Sequence, residues 1–258
     1  MQAQRLQSFL RESVRARSAA VASGPFDCFF TPEDPLVFLN YAIPREPVGA
    51  AHAAGALPGL EALFVTHDRV PRFEFVATFA PELADTLVRH AYTAEPGSFA
   101  MTASPAELTE PRLASDCEFA RHGSDAPEEQ IRQALSVRHT SFGMPNYAPD
   151  AAAIAAYRRA AARSPHGVIM RGGEVVALGT QSAAWDGVTE IAGIAVREDM
   201  RGQGIGGALT ALLARHAFEA GVQSVHLTAA DARAASVYAR VGFAAAAHTV
   251  LAYIRNQP

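Results

Sequence analysis

Glu190-Ile-Ala-Gly-Ile-Ala-Val-Arg-Glu-Asp-Met-Arg-Gly-Gln-Gly-Ile-Gly-Gly207 decides how the rest of this chain is read. Residues 190–196 are a short apolar run with β-branched side chains, and they predict a buried strand. A turn follows at 197–200. Then come Arg201 and four glycines, Gly202, Gly204, Gly206 and Gly207, spaced by Gln203 and Ile205. Residues 208–220 continue as an Ala/Leu-rich helix with Gly221 as its stop signal. A strand ending in a glycine loop that opens a helix suits a phosphate. Without Cβ atoms the backbone turns tightly and approaches a ligand closely. Its free N–H groups, with the positive end of the helix dipole, attract phosphate oxygens. Arg201 adds a cation beside them. Without a ligand, the same pattern is only a tight strand-to-helix connection.

Three ligand classes compete for such a loop. A P-loop ends in lysine, and this chain has none, all 22 of its basic residues being arginine. A dinucleotide fingerprint is literally present as Gly202, Gly204 and Gly207, but the strand read at 223–228 ends without the acidic residue that fingerprint needs. The third class is the pyrophosphate arm of coenzyme A. The pattern Arg201-x-x-Gly204-x-Gly206 after a strand ending in valine resembles the signature of the GNAT acetyltransferases. A second stretch, Asp231-Ala-Arg-Ala234-Ala-Ser-Val-Tyr238-Ala-Arg-Val-Gly242-Phe243, is similar to the other signature of that family. It departs at Asp231, where the family usually has Asn. Both residue types cap helices, so the departure bears on a coenzyme contact rather than on the fold.

Composition sets outer bounds. The chain has 258 residues, 49% hydrophobic and 19% charged, with a net charge of −4, which predicts one large or two small globular domains. No basic block recommends a nucleic-acid partner. Residues 1–18 are too charged for a signal peptide, and no apolar run is long enough to span a membrane. Cys28 and Cys117 form no motif, so a reducing cytoplasm is expected. The histidines show no metal-ligand spacing, so no metal is expected.

Taken in order, residues 2–22 predict a helix, 26–30 and 36–43 strands broken by the proline-rich 31–35, 49–59 a loop, and 60–66 a short helix. A strand at 72–78, a helix starting near Ala80 and a strand at 98–103 complete the first half. The second half reads as strand 117–121, helix 127–140, helix 150–163, a hairpin of 167–171 and 174–181 around Gly172-Gly173, the central stretch, and a last strand at 248–255. The two halves echo each other. Tyr41-Ala-Ile-Pro-Arg-Glu46 parallels Gly193-Ile-Ala-Val-Arg-Glu198, and Ala91-Tyr92 parallels Gly242-Phe243 at nearly the same separation. This suggests a duplicated domain. The first copy has lost the glycine loop, since Pro47 removes an N–H, and it has Leu87 at the tyrosine position. The expected organisation is α/β: two tandem GNAT-like units, each a mixed, mostly antiparallel sheet flanked by helices. Residues 1–104 form a degenerate unit, 105–115 a linker and 116–258 the catalytic unit.

The resemblance implies a direct acetyl transfer from acetyl-CoA to an amine. It implies that the pantetheine arm pairs with the backbone of Ile194, Ala195 and Val196, where the central strand separates from its neighbour. A main-chain N–H near Ile194 is the expected oxyanion donor. A lysine-like ammonium is roughly 0.1% neutral or less at pH 7, so a base matters. Glu190 holds the place of the general-base glutamate of the histone-acetylating branch of the family, with a water chain as the alternative base; it also reads as a solvated residue starting a strand. Tyr238 matches the family's proton donor to the departing thiolate, and reads equally as a core aromatic. The coenzyme set is therefore Ile194, Ala195, Val196, Arg201, Gly202, Gln203, Gly204, Ile205, Gly206, Gly207, Asp231 and Tyr238. Phe142, Tyr147 and Trp185 on loops, with His139 at a helix end, are the acceptor-side candidates. The leading expectation is an N-acetyltransferase of a small-molecule amine. A protein or peptide acetyltransferase and a non-catalytic acyl-CoA sensor stay open, as do acyl length and oligomeric state.

Overall fold

The chain opens on a helix, α1 (Ala3–Arg15), whose Leu6, Phe9, Leu10 and Val14 are buried at helical spacing. The computed structural model describes all residues except 1–2, 16–17, 32–33, 35, 96–98, 110–111, 165 and 257–258. Parts of the predicted first helix and of the 31–35 break, together with Ser98 and Pro111, lie outside the described residues. Strands β1 (Ala20–Ser23), β2 (Phe26–Phe29) and β3 (Tyr41–Pro44) follow, then α2 (Ala50–Thr66), β4 (Arg72–Val76), α3 (Leu83–Arg89) and β5 (Tyr92–Ala94). Next come β6 (Phe99–Ala103), β7 (Cys117–His122), α4 (Glu128–Ser141), α5 (Ala151–Arg163), β8 (His166–Arg171), β9 (Glu174–Gln181) and β10 (Val188–Val196). The chain ends with α6 (Ile205–Glu219), β11 (Ser224–Ala229), α7 (Ala232–Ala239), β12 (Ala244–Ala245) and β13 (Val250–Arg255).

Two compact units result. One comprises residues 1–100, 228–231 and 246–258; the other comprises 101–227 and 232–245. Their sheets run β1-β2-β3-β4-β13-β5 and β7-β8-β9-β10-β11-β6-β12. Apart from β7, the two orders correspond strand for strand. Each sheet holds a parallel pair: β3 with β4 through Ala42 and Phe73, and β10 with β11. A helix links each parallel pair, as a parallel connection requires. The duplication is thus visible in topology. The backbone keeps it too: Ala91 holds φ +60° where its counterpart Gly242 holds φ +101°.

Each sheet takes its penultimate strand from the other half of the sequence. β13 pairs with β4 and β5, as in Tyr253 with Phe73 and with Ala94. β6 pairs with β12 and lies beside β11. The sequence reading put the last strand in the second unit; it belongs to the first sheet. Residues 49–59, read as loop, are helical. Pro58 sits inside α2, where proline normally costs a hydrogen bond. The buried stripe Ala53, Leu57, Leu60 and Phe64 holds that helix in place, each large side chain contributing about 1.5–3 kcal/mol on burial.

In the second unit helices cover both faces of the sheet. A Cβ on Gly179 would lie 2.9 Å from Leu213 of α6, whereas the neighbouring Leu178 packs with Leu135 of α4 and Ile154 of α5. Adjacent strand residues point to opposite faces, so α6 lies on one side and α4 with α5 on the other. Asp150 starts α5 by accepting the Ala153 N–H at 2.8 Å. No helix among the described residues is long and apolar enough to cross a membrane.

Candidate active site

β10 begins in a tight hairpin. Asp186 and Gly187 hold φ +48° and +69°, and Trp185 and Val188 exchange backbone hydrogen bonds at 2.8 and 2.9 Å. β10 then pairs with β11 over three residues, Val188 with Ser224, Thr189 with Val225 and Glu190 with His226. There the ladder stops, while β10 runs on to Val196. On its other edge β10 bulges. Pairing with β9 jumps from Ala192–Thr180 to Ala195–Leu178, so Gly193 and Ile194 oppose Gly179 alone. Gly193 takes φ +62°, the conformation that lets a bulge turn backbone groups off the ladder. Ile194 fits because residue 179 is glycine; a Cβ there would lie 2.5 Å from Ile194 Cδ1.

β10 ends at the glycine loop. Gly202 and Gly204 hold φ +78° and +80°, and a Cβ at either would meet nothing within 4 Å. Alternating left-handed glycines arrange successive N–H groups into an anion-binding concavity. The space above these two is open to a ligand. Gly204 is the N-cap of α6 with no side-chain hydrogen bond closing it, so the loop leaves the first turn's N–H groups to an incoming anion. Gly206 lets β10 approach, with Val196 Cγ2 at 3.5 Å and Ile194 Cγ2 at 3.8 Å from a Cβ built there. Arg201 Nε donates to Val196 O at 3.1 Å, and its Nη2 donates to Ser141 Oγ at 3.3 Å. The cation is thus tied to the strand end next to the loop. Gln203 is held by Arg171, whose Nη1 donates to Gln203 Oε1 at 3.4 Å.

α7 carries Tyr238, half-buried, with its ring centroid 6.4 Å from that of Phe243. None of the helix's residues is buried, although Val237 lies along it. Asp231 is exposed and immediately precedes it. Gly242 closes the motif. A Cβ there would lie 2.0 Å from the carbonyl oxygen of Glu107, which explains the glycine without a ligand.

Glu190 is half-buried, and its backbone is fixed on both sides. Its N–H donates to Ser182 Oγ at 3.0 Å, its carbonyl accepts from the Ser182 N–H at 2.9 Å, and His226 pairs with it. His226 is fully buried, which pushes its pKa down to about 4; the imidazole opposite Glu190 is neutral at pH 7. Sequence reasoning missed Ser182 and His226, and no local pattern marked either.

The acceptor-side candidates disperse. Phe142 is 38% exposed at the end of α4. His139 is wholly buried, donating from Nδ1 to Leu135 O at 2.8 Å and stacking on Tyr147 at 3.6 Å. A buried, stacked ring packs α4 against the following loop rather than facing a substrate. Trp185, at the opposite end of β10 from the glycine loop, belongs to the hairpin. Among the described residues no His, Cys, Asp and Glu group is placed to hold a metal.

The first copy is closed where the second is open. The N–H of Ala50, at the start of α2, donates to Glu82 Oε2 at 2.8 Å, so a carboxylate of the same unit takes that helix end. On α3, Leu83, Thr86 and Leu87 are buried, whereas α7 buries nothing.

Comparison with known proteins concerns the family and the fold. The model of the acetyltransferase (GNAT) family matches residues 129–243. A search of curated proteins finds no significant match. A GCN5-related N-acetyltransferase from Kribbella flavida is 25% identical with a TM-score of 0.77, over 99% of this chain and 96% of that one. Two others share the fold at lower identity. One is a GCN5-related N-acetyltransferase from Sphaerobacter thermophilus, at 16% and 0.63 over 90% and 76% of the two chains. The other is a tandem GNAT protein from the clavulanic acid biosynthesis pathway, solved without acetyl-CoA, at 15% and 0.57 over 94% and 82%. Residues 129–243 therefore carry an acetyltransferase (GNAT) family domain, and the chain as a whole shares its fold with GCN5-related N-acetyltransferases; among the described residues the open glycine loop lies in the second copy.

Proposed function

We propose that the second unit moves an acetyl group from acetyl-CoA directly to a primary amine of a small molecule, without a covalent enzyme intermediate. The observation that carries this reading is the release of β10 from β11 just past Glu190, with the Gly193–Ile194 bulge opposite and the open glycine loop at the strand's end. The thioester supplies an acyl group ready for attack by an amine. The chain supplies the rest. N–H groups of residues 202–207, with Arg201, hold the paired phosphates. The backbone of Ile194 to Val196 pairs with the pantetheine arm, and an N–H at the bulge steadies the carbonyl oxygen as it gains charge. Glu190 accepts the amine's proton, directly or through water. Tyr238 gives a proton to the departing thiolate, whose acid is stronger than the phenol but which needs that proton as it leaves. Asp231 sits where a contact to the coenzyme would be made. Of the acceptor-side aromatics, Phe142 is the most exposed, with Tyr147 and Trp185 half-buried. Both cysteines are free thiols, which suits a reducing cytoplasm.

Thiol release measured with a panel of small amines and peptides tests the reading. Turnover with small primary amines supports it. Turnover with peptides alone favours a protein acceptor, and coenzyme binding without turnover favours a sensor; either result overturns it.

A further inference from the structure

Gln7, in the middle of α1, is 2% exposed, a rare degree of burial for a carboxamide. Its polar atoms reach two different strands. Nε2 donates to the carbonyl oxygen of Pro44 at 3.0 Å, and Oε1 accepts the N–H of Val76 at 2.9 Å. Pro44 is the last residue of β3 and Val76 the last of β4. We propose that the first copy keeps a carboxamide-binding slot between those strand ends, and that α1 is a built-in plug whose Gln7 occupies it in place of a ligand amide.

The slot is a hydrogen bond of the parallel ladder, opened by one amide group. β3 and β4 pair at Ala42 and Phe73, so Pro44 comes level with Phe75. The N–H of Arg45 donates to Pro25 O at 2.9 Å, on the β2 side. The carbonyl of Pro44 lies across the same trans peptide, so it points the other way, to β4. The N–H of Ala77 donates to Thr249 O at 2.9 Å, on the β13 side. Successive N–H groups of a strand alternate between its edges, so the N–H of Val76 points to β3. In an unbroken ladder these two groups would bond each other. Here each bonds Gln7 instead. The ladder opens at a residue that has no N–H of its own to give β4.

The chemistry of the slot selects its occupant. Pro44 O needs a donor and the Val76 N–H needs an acceptor. A carboxylate has no donor and an ammonium has no acceptor, whereas a carboxamide has both. Empty, the slot would leave two buried backbone groups without partners. α1 is fixed so that it carries the amide there. Its buried stripe holds it to the unit. Arg11 Nη1 donates to Arg45 O at 3.2 Å, one residue past Pro44, and Arg15 Nη2 meets Asp27 Oδ2 at 2.7 Å. The parallel between residues 41–46 and 193–198 sets Pro44 level with Val196. In the second copy the Val196 carbonyl accepts from Arg201 and Ser141, and the edge of β10 past Glu190 pairs with no residue of β11. The first copy is thus closed by occupancy at its strand ends, as well as by Glu82 at its helix end. None of this depends on coenzyme binding to the second unit.

The test is chemical rescue on the full chain. Gln7→Ala deletes the heavy atoms of acetamide, so acetamide is the probe. The substitution is expected to lower Tm by about 5 °C or more and to speed exchange of the Val76 N–H by at least about tenfold. Acetamide is expected to return about 2 °C or more of the lost Tm and to slow that exchange again, without altering the wild type. Acetate, which has no donor, is expected to do neither. Gln7→Met keeps the volume without the hydrogen bonds; it is expected to lower Tm and to ignore acetamide. A Gln7→Met chain as stable as the wild type overturns the proposal. So does a Gln7→Ala chain that acetamide leaves unchanged, or a response equal in wild type and variant. Should Gln7→Ala not fold alone, folding with acetamide supports the slot and failure to fold with it overturns it.

Discussion

Glu190 on β10 and His226 on β11 are the last residues paired by the parallel ladder between those strands. Up to that pair the two backbones satisfy each other. Past it, β10 has an edge that pairs with no residue of β11, and buried backbone groups must find partners. A linear amide chain laid along that edge would supply them. The buried, neutral His226 is the backbone partner of the half-buried Glu190 there. For Glu190→Gln the expected outcome is a loss of kcat/KM of about 10²-fold, largest at low pH, where fewer amines are neutral. A pH–rate profile parallel to that of the wild type would count against Glu190 as base.

Tyr238→Phe removes one hydroxyl from a helix with no buried residue. If the phenol protonates the leaving thiolate, kcat falls by about 10–10²-fold while the Kd for coenzyme A stays within about twofold. Stopped-flow turnover beside calorimetry separates the two quantities. Equal losses in both would make Tyr238 a binding residue only.

Gly242 tests the fold apart from the chemistry. Its φ of +101° disfavours any side chain, and a Cβ would stand 2.0 Å from a backbone carbonyl oxygen. Gly242→Ala should cost roughly 3 kcal/mol or more and lower Tm by at least about 6 °C. Calorimetric melting within about 2 °C of wild type would contradict the close approach to Glu107.

Two buried histidines, His226 and His166, contribute to the response to acid. Burial pushes His226 down to about 4; burial, with Arg138 and His122 adding, pushes His166 to about 3. In the unfolded chain both titrate near 6.5. Below that pH the unfolded state binds more protons, so stability is fully present above about 6.5 and falls as pH drops toward the folded values. Urea midpoints measured from pH 7 to 4.5 should decline, and His226→Gln should flatten the decline. A midpoint that rises on acidification would refute this.

Much of this was legible in the sequence because local rules decide it. The glycines of 202–207, the strand before them and the Tyr238 helix follow from backbone freedom and short-range patterning, and the tandem organisation was readable from Tyr41 and Gly193. The destination of β13 was not. Its alternation suits either sheet, and only long-range pairing chooses β4 and β5. The first half of α2 was hidden by Gly55, Pro58 and Gly59, whose local preferences are overridden by the buried stripe through Leu57 and Phe64. Near Glu190, Ser182 and His226 came into view only through register. His139 shows the converse: a helix-terminal histidine suggested a surface role, and stacking on Tyr147 buries it.

The central claim is that the loop of the second copy, and no counterpart in the first, holds the coenzyme. Titrating acetyl-CoA calorimetrically into the wild type, Gly204→Val and Gly49→Val tests it most directly. Gly204 has φ +80° and open space above it, whereas Gly49 has φ −79° at the helix end that Glu82 occupies. The account predicts one equivalent bound per chain, weakened at least about tenfold by the first substitution and unaffected by the second. Two equivalents, none, or a loss confined to Gly49→Val would contradict it.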